Sequence, residues 1–231
     1  MPDSRRVLPT GVRGQLLSRP SVGLVSLPSA ADVLKIQLRH AWLDARRVFE
    51  DITDDDYLWE PASPCWSVRT RGTSARGWGS GQFVCEDAWP PPDPLPMTTI
   101  AWRVVHLAAW TDIYRQFAFG DTRPDLNDID VPGGCAAGLA WLYGAQDAFI
   151  AAVDGLSDES ALAQRPAHWG ESVPVVRLVT TMLTEHVHHI AEIGVLRDLR
   201  RGHALSQPPT PPSPDPSWWT GTQSSTDAQL L

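Results

Sequence analysis

A single lysine, Lys35, stands in 231 residues, and arginine carries the rest of the positive charge against an acidic excess that leaves a formal net charge of -8. The acidic residues are scattered and no basic stripe is present to neutralise a phosphate backbone, which argues against nucleic-acid binding. Cysteine is scarce as well. Cys65, Cys85 and Cys135 are an odd number at wide spacing. They offer neither the CxxC pair of a zinc ribbon nor the density of a disulfide scaffold, and so fit a reduced, cytoplasmic setting. Nor does any uninterrupted apolar run approach the ~18 residues that a membrane span requires. Pro20 and Pro28 break the apolar core that a secretory signal would need, so residues 1–29 read as a disordered leader or as the product of an over-long start site. What remains, 42% hydrophobic and 20% charged, is the composition of one globular domain. Arginine in place of lysine, with abundant Ala, Pro, Trp and Asp, reads as a high-GC genome such as an actinobacterium's.

Four helices are legible. The first begins at Ser29, a hydroxyl cap, and carries Leu34, Leu38, Ala41, Ala45, Val48 and Ile52 in steps of four and three. The segment from Thr53 to Met97 is rich in Gly, Pro, Ser and Trp, shows neither period, and reads as a long loop with room for a small hairpin around Trp78 to Val84. A second helix starts at Thr98 or Thr99 and closes at Gly120. A third starts at Cys135, with Leu139, Leu142, Ala145, Phe149 and Val153 along one side. The fourth starts near Pro174, tolerated at a helix start, and runs to Gly202. The Pro/Ser/Thr-rich stretch 203–231 cannot offset its ordering entropy by burial and reads as a disordered tail. The expected architecture is an all-α four-helix bundle over residues 30–202.

The chemistry concentrates on two helices. His106 falls mid-way along the second, on one face with Trp102, Ala109, Trp110 and Ile113. The fourth carries Glu185, His186, His188, His189 and Glu192 within eight residues. Residues four apart share a face, so Glu185 with His189 converge, as do His188 with Glu192, while His186 with His189 is the i,i+3 alternative. One of these faces is expected to look inward, and the stripe of Met182, Ile193 and Leu196 places Glu185 and His189 on it. His188, ~100° from His189, faces out. Buried carboxylates and imidazoles without partners cost several kcal/mol, and a cation is the simplest partner; a plain Glu/His hydrogen-bond network is the other. A two-histidine, one-carboxylate set leaves coordination positions open and accepts Zn²⁺, Ni²⁺, Fe²⁺ or Mn²⁺ alike. Arg103 and Arg177 read as helix-edge arginines facing water or an anionic substrate group, and His40 and His168 as unrelated to the metal.

The segments MTTIAWRVVHLAAW and EHVHHIAEIGVLRDLRR, with the loop LWEPASPCWSVR, resemble the DinB/YfiT-like proteins, a superfamily that includes mycothiol- and bacillithiol-dependent S-transferases. The resemblance spans about residues 30–202. It implies a metal held by His106 and His189, with a histidine usual where this chain has Glu185; either Glu185 serves as an oxygen ligand, or His186 swings in, or the metal is lost. It further implies a metal-dependent transferase or isomerase that activates a small thiol, mycothiol in an actinobacterium, against a small electrophile. The alternative is a non-catalytic, homodimeric bundle of the same fold that binds a ligand or partner.

Overall fold

The computed structural model describes residues 28–74 and 76–202; the expected leader, apart from its last two residues, and the tail 203–231 lie outside them. Four long helices make the frame: α1 (Ala30–Val48), α3 (Ile100–Phe119), α4 (Cys135–Asp154) and α6 (Val175–Arg200). Their ends follow from capping chemistry. Ser29 and Asp32 form a reciprocal capping box on α1, and the Thr99 hydroxyl accepts the Trp102 N–H at the start of α3. The first turn of α4 has no side-chain cap of its own. The carboxylate of Asp54 fills that role from outside, accepting the Cys135 N–H at 2.7 Å.

The helix α3 packs on both α4 and α6, and α1 closes the bundle against α6 and α4. Twelve of the twenty α3 residues are buried, so the helix is apolar nearly all round, as a central helix must be. Phe149, Leu142, Leu178, Met182 and Ile193 are fully enclosed, each worth ~1.5–3 kcal/mol of burial. By length and composition alone, α4 would suffice to cross a membrane. Its buried residues Cys135, Gly138, Leu142, Ala145, Phe149 and Val153 recur in helical steps, so one face of it packs into the bundle.

The long connection is more ordered than its composition suggests. It contains α2 (Asp54–Tyr57) and four short strands, β1 (Cys65–Trp66), β2 (Val68–Thr70), β3 (Phe83–Cys85) and β4 (Met97–Thr98). The antiparallel β2/β3 pair puts Arg69 opposite Val84, so the hairpin is wider than the Trp78-to-Val84 span suggested. The parallel β1/β4 pair sets Trp66 beside the start of α3. After α4 come α5 (Asp158–Ala161) and a second hairpin, β5 (Gln164–Pro166) with β6 (Ser172–Pro174), in a stretch that reads from sequence as plain loop.

One contact locks α2 onto the bundle. Tyr57 is fully buried, its hydroxyl has no hydrogen-bond partner, and a Cβ on Gly138 would stand 2.1 Å from that oxygen. Gly138→Ala is therefore expected to destabilise the protein by ~1–3 kcal/mol through overpacking, despite the ~1 kcal/mol that alanine gains in helix propensity. Tyr57→Phe, which removes the unpaired hydroxyl, should raise stability by ~1 kcal/mol and absorb most of the Gly138→Ala penalty in the double variant. Urea unfolding of the four proteins checks this; additive effects would contradict it.

Candidate metal centre

The helices α3 and α6 lie antiparallel, because Arg103, His106 and Thr111 meet Glu192, then His189 and Glu185, then His186, in reverse order along the partner helix. Mid-way along this seam His106 faces Glu185 and His189. The Nε2 of His189 is 3.2 Å from Glu185 Oε2, and the Nε2 of His106 is 3.8 Å from the same oxygen. The two imidazoles stand edge to face, 4.9 Å between centroids. One donor atom from each of the three residues lies within 4.8 Å of the others, a separation one ion with ~2.0–2.2 Å bonds can span. Glu185 is partly exposed, so the cluster opens to solvent on its carboxylate side.

Neighbours fix each ring. Trp102, one turn before His106, stacks on it at 4.6 Å and 17°, and Trp66 stacks on Trp102 in turn. The Trp102 indole N–H donates to the Glu86 carbonyl at 2.6 Å, tying this wall to the β2/β3 hairpin. On the other side, His189 Nδ1 is 2.9 Å from Glu192 Oε2, which also accepts from the Arg103 guanidinium. The Arg103 guanidinium, which only donates, lies 2.8 Å from the same Nδ1. Two tautomers therefore suit this network: Nδ1 accepts from Arg103 while Nε2–H donates to Glu185, or Nδ1–H donates to Glu192 while the Nε2 lone pair faces the Glu185 carboxylate. In the second, two acceptors are in contact and a cation between them would relieve the repulsion. A carboxylate with two imidazoles is a donor set that fits a divalent metal.

Hydrogen bonds from the His106 and His189 imidazoles hold Glu185 far below the ordinary carboxylate range, against an opposing effect of burial. Burial lowers the proton affinity of His106, with Glu185 and, further off, Asp87 opposing. The cluster thus favours an ionised carboxylate and an unprotonated His106, the forms that bind cations.

Several residues sit elsewhere than expected. More than one α6 face looks inward: His186 is 1% exposed, donates from Nδ1 to the Met182 carbonyl at 2.7 Å and has Nε2 3.2 Å from the Thr111 hydroxyl. It is turned into the core and contributes no donor atom to the cluster. Two α6 faces are covered because the helix packs on both α3 and α1. His188 is exposed, as its angle from His189 predicts, and reaches Glu192 at 3.3 Å. The second donor group this makes, His188 with His189 and Glu192, lies against the positive charge of Arg103, which disfavours a cation there. Arg103 itself is buried and paired rather than facing water; its partner lies 89 residues away, beyond what helical spacing reveals. Arg177 lies over the Trp169 ring. Asp112 accepts from the Trp141 indole on α4 at 3.1 Å. All three cysteines are free and buried, burial pushes the Cys65 and Cys135 thiols up to about 11 and Cys85 well above its usual value, and none adds a donor to the cluster.

Glu192 lies 2.9 Å from His189 Nδ1, where it can hold the ring and favour the tautomer whose Nε2 is free for a metal, so Glu192→Ala is expected to weaken divalent-metal binding 10–100-fold while leaving all three donor residues in place. Zn²⁺ titration against a competing chelator measures this; unchanged affinity would remove Glu192 from any role at the site.

The fold and this cluster define a helical bundle with a gathered His/Glu/His donor set. The family model of the DinB superfamily matches residues 37–193, more than half of the chain, and the chain belongs to that superfamily. Among solved structures it is similar to a conserved protein from Enterococcus faecalis, with a TM-score of 0.48 at 12% identity, 76% of this chain and 99% of that one being covered. No curated protein matches it.

Proposed function

We propose that the protein is a soluble, cytoplasmic, divalent-metal-dependent transferase or isomerase that joins a small thiol of the mycothiol type to a small electrophile, with His106, Glu185 and His189 as metal ligands. The observation that carries this reading is the convergence of two imidazole nitrogens, His189 Nε2 at 3.2 Å and His106 Nε2 at 3.8 Å, on one Glu185 carboxylate oxygen. Zn²⁺, Ni²⁺, Fe²⁺ and Mn²⁺ all suit such a set. When bound, the cation supplies a Lewis acid that lowers the pKa of a thiol brought to an open position. Glu185 contributes negative charge and, with its low proton affinity, is a ligand and not a base; the thiol proton leaves to solvent. Glu192 and Arg103 keep His189 oriented, and Trp102 and Trp66 shield His106 from water. In the reaction the sulfur forms a bond to the electrophilic carbon, and the leaving group departs with its electron pair.

Protein purified without an affinity tag should contain about one equivalent of metal and should couple mycothiol to monobromobimane faster than the uncatalysed reaction, with loss on chelation and recovery on metal addition. A rate equal to the uncatalysed one with metal bound would remove the transferase reading. A second reading, a non-catalytic homodimer, draws on the exposed Val33, Ile36 and Leu43 of α1 and Val187, Val195 and Leu199 of α6. A metal-free dimer on size-exclusion chromatography would favour it.

A further inference from the structure

The face of α3 that carries His106 continues through Trp110, Ile113 and Phe117 in steps of four, three and four, and beyond Trp110 it lines a cavity of about 570 Å³. That volume falls inside the range of small-molecule sites, ~300–1,000 Å³. The Trp110 ring lies 6.1 Å from the His106 ring on one side and 4.8 Å from the His168 ring on the other, so the cavity begins one helical turn from the metal centre.

Aromatic side chains from four separate parts of the chain share its walls with polar groups, among them Asp87, Asp125 and Asn127. Trp110 and Phe117 belong to α3. Trp78 belongs to the β2/β3 connection, where paired backbone hydrogen bonds with Cys85, both 3.0 Å, fix its position. His168 belongs to the β5/β6 turn, where its ring also packs on Tyr114 at 5.4 Å. Trp89 stands at the mouth, 90% exposed. The charged groups are Asp87, Asp125 and Arg123, a formal sum of -1 from two carboxylates and one guanidinium. Arg123 lies over the Phe117 ring at 4.8 Å and donates to the Thr122 carbonyl, so its charge is engaged by these two neighbours. Flat walls bind flat ligands by offset stacking, and an acidic rim repels anions.

We propose that this cavity seats the acceptor substrate and selects an uncharged planar aromatic electrophile, with Trp110 and His168 as the residues that determine specificity. The proposal deepens the transferase reading and rests on it for the word substrate. With 1-chloro-2,4-dinitrobenzene as the acceptor, the thiol sulfur forms a bond to the ring carbon, the carbon–chlorine bond breaks, chloride leaves with the electron pair, and the thiol proton goes to solvent.

The test has two arms on the full chain. In the first, the unreactive analogue 2,4-dinitroaniline is titrated by equilibrium dialysis into the wild type and the Trp110→Ala, His168→Ala and His106→Ala variants. The wild type is expected to bind, and Trp110→Ala and His168→Ala to bind at least tenfold more weakly. His106→Ala should still bind, since its ring does not line the cavity. In the second arm, metal-loaded protein with mycothiol is given 1-chloro-2,4-dinitrobenzene or iodoacetamide, and the ratio of the two kcat/KM values is expected to fall at least tenfold in both cavity variants, mainly through KM for the aromatic acceptor. His168 does not touch the ligand histidines, so its variant keeps the test sound if Trp110→Ala loses metal. Dinitroaniline binding that is absent from the wild type, or indifferent to both cavity substitutions, overturns the proposal. Binding that depends on Trp110 and His168 without any thiol transfer supports the ligand class and overturns the transferase reading instead.

Discussion

His106→Ala and His189→Ala are each expected to leave the purified chain without its divalent cation. Loss of a residue that merely orients a ligand costs 10–100-fold in affinity, so loss of a ligand itself should exceed ~100-fold. Each variant leaves one imidazole and one carboxylate, too few donors to hold a first-row metal against a chelator. Glu185→Gln should weaken binding while keeping the side chain's shape, because it removes the only negative charge among the three donors. The sign with pH follows from ligand chemistry: protons compete for the imidazoles, so affinity falls as pH drops through the histidine range. Burial shifts the His106 part of that loss towards lower pH. Metal binding also stabilises the folded state, by ~2.7 kcal/mol at a hundredfold excess over Kd, so the wild type should melt higher with metal and the alanine variants should not respond. Metal content by mass spectrometry together with thermal melts decides the matter; alanine variants that retain wild-type metal would remove the ligand assignment.

A second large effect is expected from His186, away from the metal. Its burial, opposed by the bond to the Met182 carbonyl and by Glu185, lowers its pKa from 6.5 to about 4. Between those values the unfolded chain takes up a proton that the folded chain refuses. Stability is therefore unaffected by this group above pH ~6.5, falls as pH drops below it, and levels off near pH 4, with a total loss of ~3 kcal/mol at 1.36 kcal/mol per pKa unit. His186→Leu removes the titration and preserves most of the buried volume, while the Thr111 hydroxyl keeps its bond to the Leu107 carbonyl at 2.6 Å. Urea unfolding from pH 7.5 to 4 should show the variant losing less stability than the wild type over that interval. Parallel curves would mean that His186 already takes a proton in the folded state.

The sequence carries the helices and the pairing of Glu185 with His189 because both are written in short-range spacing. Ser29, Thr99 and Gly120 mark helix ends by local capping chemistry and Pro174 by its fixed backbone, and the structure has boundaries at each. Glu185 and His189 share a face by helical geometry, and His106 stands mid-way along a helix rich in apolar residues. The strands of two and three residues are too brief to display a period, so β1 to β6 were hidden apart from a suspected hairpin. The Arg103–Glu192 pair and the His186–Thr111 contact join residues 89 and 75 positions apart, and nothing local signals them. The inward turn of His186 escapes a one-face reading because α6 is covered on two sides. The cavity beside the metal centre is hidden for the same reason, since its walls meet only in the folded chain.

The donor residues and the cavity walls differ in where the chain supplies them. His106, Glu185 and His189 are anchored on α3 and α6, whereas Trp78, Trp89, Arg123 and His168 come from connecting segments. Exchange of those connections would alter what the cavity admits without disturbing the His/Glu/His cluster, so one scaffold could be re-aimed at new ligands by editing its turns while the helical seam stays put.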